Sequence, residues 1–228
     1  MQLLSYNLLK NKAVGELSAL AVKYQPDVLC LQEVNVPELP QQMGRLQLAI
    51  GTEKNRLGLA VYLDSTKYEV EDVASFSLRH SHYDRIASPA HERLLGVRAA
   101  NKLTGEKFTV GSFHASPLTA LNAIRREQIQ DGLKRLEVLG EGSPLMMLGD
   151  FNYPIFRARL AREVQASGFE LYTSNQQTYR NYKGAVRGYF DFAAGKGFST
   201  NWMKTLKQGV SDHLPILLKA EATYAPAV

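Results

Sequence analysis

The segment from Leu145 to Asn152 constrains the fold more than any other part of the sequence, because it reads Leu-Met-Met-Leu-Gly-Asp-Phe-Asn. A short apolar run closed by glycine is typical of a central strand in a sheet that is covered on both faces. Asp150 and Asn152 follow this strand, where sheets commonly carry binding and catalytic side chains. Residues two apart in an extended chain share a face, so both polar groups can reach one ligand. A Gly-Asp-x-Asn sequence is also an ordinary turn, and the rest of the chain must decide between these interpretations.

Length and composition favour one domain over residues 1–228, with a hydrophobic content of 45% that is sufficient for a large core. No apolar stretch has membrane-spanning length, so we expect no stable membrane insertion. The N-terminus lacks the basic and apolar regions of a signal peptide. The single Cys30 lies in an apolar run, which excludes an internal disulfide and predicts a core residue. We therefore expect a cytoplasmic monomer, although a secreted protein that has lost its signal would have the same composition.

The net charge of +5 is concentrated between Leu171 and Val210, where six basic residues accompany a single acid, Asp191. Tyrosine, phenylalanine and tryptophan side chains alternate with these cations. This mixture is typical of a surface that binds phosphates and stacks bases. It predicts a nucleic acid as substrate and three substrate-binding residues: Tyr182, Arg187 and Lys196. The alternative is a solvated loop whose aromatic residues belong to the core.

The hydrophobic pattern predicts many strands and few helices. Such a pattern favours an α/β fold of two packed sheets flanked by helices over a strictly alternating parallel fold. A hairpin turn is predicted at Thr104-Gly105-Glu106. The predicted helices are 14–24, 118–138 and 155–167, and the predicted strands are 2–8, 28–33, 46–51, 57–64, 68–76, 93–101, 107–114, 145–149, 189–194 and 214–220.

Polar side chains recur where the predicted strands end. One of them, Asp191, interrupts the apolar run 189–194, and a buried carboxylate without a partner is costly. His213, which lies just before the last strand, is its natural partner. The full set of polar residues at strand ends is Asn7, Gln32, Glu33, His114, Asp150, Asn152, Asp191, Asp212 and His213.

The order of these motifs resembles the endonuclease/exonuclease/phosphatase superfamily, which includes pancreatic-type DNases, AP endonucleases, neutral sphingomyelinases and inositol polyphosphate 5-phosphatases. The resemblance spans residues 7–213. It implies a four-layered α/β sandwich with two central mixed β-sheets and metal-dependent hydrolysis of phosphate esters. The motifs that carry it are Tyr6-Asn7, Leu31-Gln32-Glu33, Phe113-His114, Gly149-Asp150-Phe151-Asn152, Phe190-Asp191 and Ser211-Asp212-His213.

The resemblance also implies a role for each of these residues. Glu33 would be the principal ligand of Mg²⁺, for which Mn²⁺ substitutes, and Asn7 and Asp212 would lie nearby as further ligands. An oxygen ligand at a strand end suits Mg²⁺, which binds few carboxylates and keeps several waters. Among the catalytic residues, Asp150 would activate the water, Asn152 would hold the nucleophile or the phosphate, and His114 would contact a non-bridging oxygen. His213 and Asp191 would form an acid/base pair. Asp212 would be a further catalytic residue.

Two residues of the predicted helix 118–138, Arg125 and Gln128, resemble a recurrent Arg-x-x-Gln of the superfamily. Their spacing places them on one helix face with Asn122. We expect these three residues and Gln32 to brace the catalytic side chains from behind, without touching the substrate.

The sequence favours a metal-dependent nuclease. Leu9 stands where AP endonucleases carry an aspartate, which argues against an abasic-site specialist. Two further readings remain: a phosphoesterase acting on a small molecule or lipid headgroup, and a non-catalytic nucleic-acid-binding module. The spacing of His80, His82 and His91 invites a zinc interpretation, but no fourth ligand is in register, so we predict a mobile loop that faces the substrate.

Overall fold

The computed structural model of the chain describes residues 1–79, 91–181 and 186–223. Within these ranges the helices are α1 (Leu17–Tyr24), α2 (Asn122–Gly140) and α3 (Arg157–Ala166), with short 3-10 helices at Val14–Glu16 and Val36–Glu38. The described strands are β1 (Gln2–Asn7), β2 (Val28–Val34), β3 (Gln42–Met43), β4 (Leu46–Gly51), β5 (Gly58–Asp64), β6 (Tyr68–Phe76), β7 (Leu94–Asn101), β8 (Lys107–His114), β9 (Leu145–Asp150), β10 (Glu170–Tyr172), β11 (Tyr179–Arg180), β12 (Arg187–Gly188), β13 (Asp191–Lys196), β14 (Phe198–Thr205) and β15 (Ile216–Ala222).

The strands form two large sheets and a small hairpin. The first sheet has the order β14-β15-β1-β2-β5-β4-β3 and the second β10-β13-β9-β8-β7-β6, while β11 and β12 pair with each other. Each large sheet is mixed, because β1 runs parallel to β2 and β8 runs parallel to β9 among otherwise antiparallel neighbours. Helix α1 packs on the outer face of the first sheet, and α2 and α3 pack on the outer face of the second. This four-layered α/β sandwich confirms the predicted fold class.

Strand β9 is buried on both faces, as its apolar sequence predicts. Met146 and Leu148 point into the core between the two sheets, and Leu145 and Met147 point toward the helices. Cys30 lies in the same central core, where burial raises the pKa of its thiol to about 12. The thiol is therefore a packing group, as predicted.

The parallel pairs bring the polar strand ends to one edge of the sandwich. Asn7 lies opposite Gln32 at the end of β1 and β2, and His114 lies opposite Asp150 at the end of β8 and β9. The Gln32 side chain then joins the two sheets, because its Nε2 donates to Ser112 Oγ across the interface at 3.0 Å. The carboxyl ends of all four strands therefore meet in one place.

Helix α2 begins later than the sequence predicts. The predicted start at residue 118 is wrong, because the guanidinium of Arg125 donates to the carbonyl of Pro117 at 2.7 Å and holds a turn in front of the helix. Helical geometry begins only at Asn122. Leu118 and Leu121, which precede the helix, are exposed.

Two strands also begin later than predicted. Thr178 Oγ1 accepts the backbone N–H groups of Phe190 and Asp191 at 2.9 and 3.0 Å, so residue 189 does not enter the ladder and β13 starts at Asp191. The last strand starts at Ile216 because Pro215 has no N–H to donate. None of the described helices is both long and apolar enough to cross a membrane.

Candidate active site

The strand ends and two adjoining loops place the predicted catalytic residues around one point. The loop before β15 joins them because Ser211 Oγ donates to the carbonyl of Asn7 at 2.7 Å. The residues collected at this edge of the sandwich are Asn7, Glu33, His114, Asp150, Asn152, Asp191, Asp212 and His213.

Glu33 reaches this point because β2 contains a bulge. The pairing of β2 with β5 shifts register between Gln32 and Val34, and Glu33 adopts a left-handed conformation with φ of 55°. Such backbone is unfavourable for a residue other than glycine, and a bulge re-aims the side chain. One carboxylate oxygen accepts the Lys10 N–H at 2.8 Å, and the other lies 4.0 Å from His114 Nε2. The side chain remains 23% exposed, so an ion or a substrate can reach it.

Asp150 occupies the centre of the site. Its Oδ1 accepts the backbone N–H of Asn152 at 2.8 Å and its Oδ2 accepts Asn7 Nδ2 at 3.1 Å. Oδ2 also lies 3.6 Å from Nε2 of both His114 and His213. Burial raises the pKa of Asp150 to about 7, against the opposing charge of His213. A carboxylate of this pKa can accept and release a proton near neutral pH.

His213 and Asp191 form the predicted pair. The imidazole Nδ1 lies 2.8 Å from Asp191 Oδ2, and the edge of the Tyr179 ring packs against the imidazole. Burial alone would lower the pKa of His213, but the carboxylates of Asp191 and Asp150 outweigh it and raise the pKa to about 10. The imidazole is therefore held charged, with Nε2–H directed at the centre of the site.

His114 has the opposite electrostatic environment. Burial lowers its pKa to about 4, and the Glu33 carboxylate only partly offsets that effect. The guanidinium of Arg93, which donates to the His114 carbonyl at 3.1 Å, lowers the pKa further. His114 is therefore neutral near pH 7 while His213 is charged, and environments that separate two titrating groups in this way are a mark of acid/base sites.

The donor set fits a hard divalent cation. The carboxylates of Glu33, Asp150 and Asp191 lie within 4.0 Å of the two imidazoles, and the charge of Asp212 acts on His213. Oδ1 of Asp212 is buried and has no hydrogen-bond partner within the described residues. A bound cation would satisfy this oxygen. Carboxylate oxygens with an open, partly exposed side are what Mg²⁺ takes in proteins.

A second grouping of possible ligands, Asp150, Asp191 and His213, lies within 4.8 Å. In this group the Nδ1 of His213 is already bonded to Asp191. The residues better suited to hold the ion are therefore Glu33 and Asp212.

Asn7 differs from its predicted role as an oxygen ligand. Its Oδ1 accepts the backbone N–H of Leu9 at 3.0 Å, so its amino group faces the carboxylates. Nδ2 lies 3.1 Å from Asp150 Oδ2 and 3.4 Å from Glu33 Oε1. In this orientation Asn7 links the two acids by hydrogen bonds and fixes their separation.

The residues predicted to brace the site lie behind it. Gln32 is fully buried between the sheets. Gln128 Oε1 accepts the Ser116 N–H at 2.9 Å, directly after β8, and Arg125 holds the turn that follows. Asn122 bonds to the Arg125 guanidinium. Together they fix the loop that leaves His114, and the described contacts place them outside the catalytic centre.

The predicted substrate-binding residues are separated by the structure. Arg187 lies on the β11–β12 hairpin, whose Tyr179 contacts His213. Lys196 lies at the far end of β13, opposite Leu145 at the start of β9, and its Nζ bonds to Glu137 at 2.6 Å. The placement of Lys196 beside the site is therefore wrong.

Other sequence predictions fall on residues outside the described ranges. These are the substrate contact of Tyr182, and the rejected zinc site and the loop facing the substrate, both of which depend on His80 and His82.

Sequence reasoning missed several residues of the site. Arg93 and Tyr179 contact the two histidines, and Thr178 positions the backbone of Asp191. An arginine directly before an apolar strand is the only sequence signal for Arg93. Nothing in the sequence distinguishes Tyr179 from the other aromatic residues of its segment.

Comparison with known proteins agrees with this arrangement. The Endonuclease/Exonuclease/phosphatase family model matches residues 4–213, and the chain belongs to this family, as its motifs predict. The family consists of hydrolases of phosphate esters and diesters that typically use divalent metal ions. Protein angel of Drosophila melanogaster is 26% identical over 146 residues, which are 58% of this chain and 40% of that protein. The chain thus spans less than half of that relative.

Solved structures show the same fold. The mannosyl-6-phosphatase of Bacteroides thetaiotaomicron superposes with a TM-score of 0.77 at 16% identity, covering 97% of this chain and 99% of that one. The D. rerio TDP2 complexed with a single strand DNA product superposes with a TM-score of 0.74 at 16% identity, again covering 97% and 99%. At such identities the likeness establishes the fold alone.

Proposed function

We propose that this protein is a divalent-metal-dependent phosphodiesterase, and specifically a nuclease that hydrolyses phosphodiester bonds of DNA or RNA. One observation carries the proposal: Asp150 lies 3.6 Å from both a charged and a neutral imidazole, beside an accessible carboxylate of Glu33. Hydrolysis of a phosphodiester needs a base for the attacking water and positive groups that absorb charge on the phosphate. The site contains both.

The chemistry divides among the residues as follows. Glu33 and Asp212 would hold a divalent cation such as Mg²⁺, which would supply positive charge to polarise the phosphate. Asp150 orients a water and accepts its proton at Oδ2, which its raised pKa permits. His213 donates its Nε2–H to a phosphate oxygen while Asp191 holds the ring. His114, which is neutral, hydrogen-bonds a second, non-bridging oxygen.

Two other functions make different demands. A phosphoesterase acting on a small molecule or a lipid headgroup would use the same catalytic side chains, and the likeness to a mannosyl-6-phosphatase supports it as the second candidate. A non-catalytic nucleic-acid-binding module needs no acid/base group with separated pKa values. The opposite shifts of His114 and His213 argue against it.

A substrate panel tests the proposal. We expect cleavage of supercoiled plasmid, single-stranded DNA or single-stranded RNA with Mg²⁺ or Mn²⁺, and no cleavage in excess EDTA, because the carboxylates repel an anionic substrate without a cation. Cleavage of the nucleic acids is read from gel mobility. Bis-nitrophenyl phosphate is assayed beside them as an artificial diester. Full activity in EDTA would contradict metal dependence. Hydrolysis of sugar phosphates without any nucleic-acid cleavage would establish the second candidate.

Arg187 and Lys196 provide a matched pair of variants. We expect Arg187→Ala to weaken nucleic-acid binding about threefold to tenfold at low salt, because one phosphate contact beside the site is lost. Lys196→Ala should leave binding unchanged, since its ammonium is paired with Glu137 at the far end of β13. Electrophoretic mobility shift measures both. Equal losses in the two variants would mean that the charge acts only through the net field of the protein.

A further inference from the structure

A surface groove of about 550 Å³ opens beside Glu33 on the side of the first sheet. Its cationic side chains are Lys10, Lys12 and Arg56, and its remaining lining residues are Asn11, Asn35, Glu38 and Leu57. We propose that this cationic groove binds the phosphates of a single-stranded nucleic acid that flank the bond to be cleaved. The inference rests on the proposed function and adds the location and chemical character of the strand-binding surface.

The lining of the cationic groove has a net positive charge. Lys10, Lys12 and Arg56 form no ion pair with any side chain in the described part of the structure. The acid in the lining, Glu38, hydrogen-bonds through its two oxygens to the amides of Asn11 and Asn35 at 2.6 and 2.5 Å and leaves the three cations in excess. An excess of positive charge on a concave surface attracts a chain of phosphates, and each contact releases counterions.

The loop that carries Lys10 is fixed to the catalytic residues. Leu9, Lys10 and Asn11 have φ values of 48°, 53° and 65°, and left-handed backbone, which asparagine tolerates, is unfavourable for leucine and lysine. The loop keeps this shape because Glu33 accepts the backbone N–H of Lys10 at its carboxylate and that of Asn11 at its carbonyl, both at 2.8 Å.

Asn7 fixes the start of the loop, since its Oδ1 accepts the Leu9 N–H at 3.0 Å. Strained backbone that persists next to a catalytic residue indicates a function for the position it creates. Here it places the Lys10 side chain at the edge of the site.

The loops that leave β8 and β9 directly after His114 and Asp150 have a different character from the cationic groove. They carry exposed apolar side chains instead of cations: Ile155 is 61% exposed, Phe156 is 63% exposed, and Leu121 is also exposed. A single strand presents phosphates on one side and unpaired bases on the other, and an exposed aromatic ring binds such bases by stacking. A duplex would hide its bases from these loops, so a cationic groove and apolar loops at the same edge of the sandwich favour a single strand.

The test combines three substitutions and a matched control. One variant carries Lys10→Gln, Lys12→Gln and Arg56→Gln. The control carries Lys23→Gln, Lys134→Gln and Lys219→Gln, which remove the same charge from the end of α1, from α2 and from the middle of β15, opposite Gln2. Binding of labelled single strands of about twelve nucleotides is measured by fluorescence anisotropy in EDTA, between about 50 and 200 mM salt.

We expect the groove variant to bind at least about tenfold more weakly at low salt, with a salt slope smaller by about two, because three phosphate contacts on a single strand are lost. The control variant should bind like the wild type. Equal binding by the groove variant and the control would overturn the inference. An equal loss for a duplex of the same sequence would overturn its single-strand part.

Cleavage is measured separately, as kcat/KM on the same strand divided by kcat/KM on a dinucleotide. The dinucleotide has one phosphodiester and cannot fill the groove, so we expect this ratio to fall in the groove variant alone. An unchanged ratio would contradict the inference. The groove variant could bind strands more weakly than a wild type that itself cleaves no nucleic acid. That result would support the groove and refute the proposed nuclease.

Discussion

Replacing Glu33 with glutamine is expected to lower metal-dependent activity by at least about a hundredfold, the scale on which loss of a metal-orienting group acts. The substitution keeps the shape of the side chain, and its amide oxygen can still accept the Lys10 N–H. It removes a carboxylate that is bonded to the Lys10 backbone and is still 23% exposed. The loss should therefore appear in metal binding before it appears in folding.

Thermal unfolding with and without Mg²⁺ separates these effects. A ligand that binds only the folded state raises its stability, so Mg²⁺ should raise the Tm of the wild type and leave that of Glu33→Gln unchanged. Without metal, the two proteins should differ by no more than about 1 kcal/mol, since the variant loses charge from a crowded acidic site. Glu221→Gln, at an exposed position of β15, serves as the control. A normal metal-induced rise in Glu33→Gln would remove Glu33 from the ligand set.

His213→Ala and Asp191→Asn are expected to be non-additive. Each should lower kcat by about 10² to 10⁴, the range of a lost acid/base group, and the double variant should be little worse than either single variant. The reason is that the imidazole acts through the hydrogen bond that links its Nδ1 to Asp191 at 2.8 Å. Multiplicative losses in the double variant would show that the two side chains act independently.

The pH profile provides an independent reading of the same pair. His213 must be protonated to donate, so activity is lost as pH rises through its pKa. Although burial opposes it, the charge of Asp191 helps to raise this pKa to about 10 in the wild type. In Asp191→Asn the basic limb of the profile should move to lower pH, and the NMR signals of the His213 imidazole should titrate at lower pH than in the wild type. A basic limb at an unchanged pH would assign that limb to another group.

The site could be located from the sequence because several of its polar residues end apolar runs. Asn7, His114 and Asp150 all close buried strands, and parallel neighbours necessarily bring such ends to the same edge. The pairing of Asp191 with His213 followed from the cost of a buried, unpaired carboxylate. These inferences depend on strand periodicity and desolvation, which are local properties of the sequence.

Other features depend on properties that a linear sequence does not display. Lys196 was grouped with Arg187 because both lie in one basic segment, but β13 runs away from the site over about 3.3 Å per residue and carries Lys196 to the opposite end. The orientation of Asn7 is set by one backbone N–H, that of Leu9. The bulge at Glu33 leaves no signal in the hydrophobic pattern.

The cationic groove was invisible in the sequence for a related reason. Lys10 and Lys12 come from the loop after β1, and Arg56 comes from the loop between β4 and β5. Charge counted along the chain finds clusters within a segment, whereas this cluster forms between segments. It exists only because β5 runs antiparallel to β2, which places the start of β5 beside the end of β2.

Strand β1 pairs with β15 in the first large sheet, and this pairing has a consequence for how the protein folds during synthesis. The Met1 amino group donates to the carbonyl of Ala220, 219 residues away, and Ser211 bonds to Asn7 across 204 residues. Contacts between such distant positions form slowly, because the intervening chain must first be ordered. On the ribosome, Asn7 and Glu33 emerge long before His213. In a nascent chain the site therefore stays incomplete until β15 is inserted between β1 and β14.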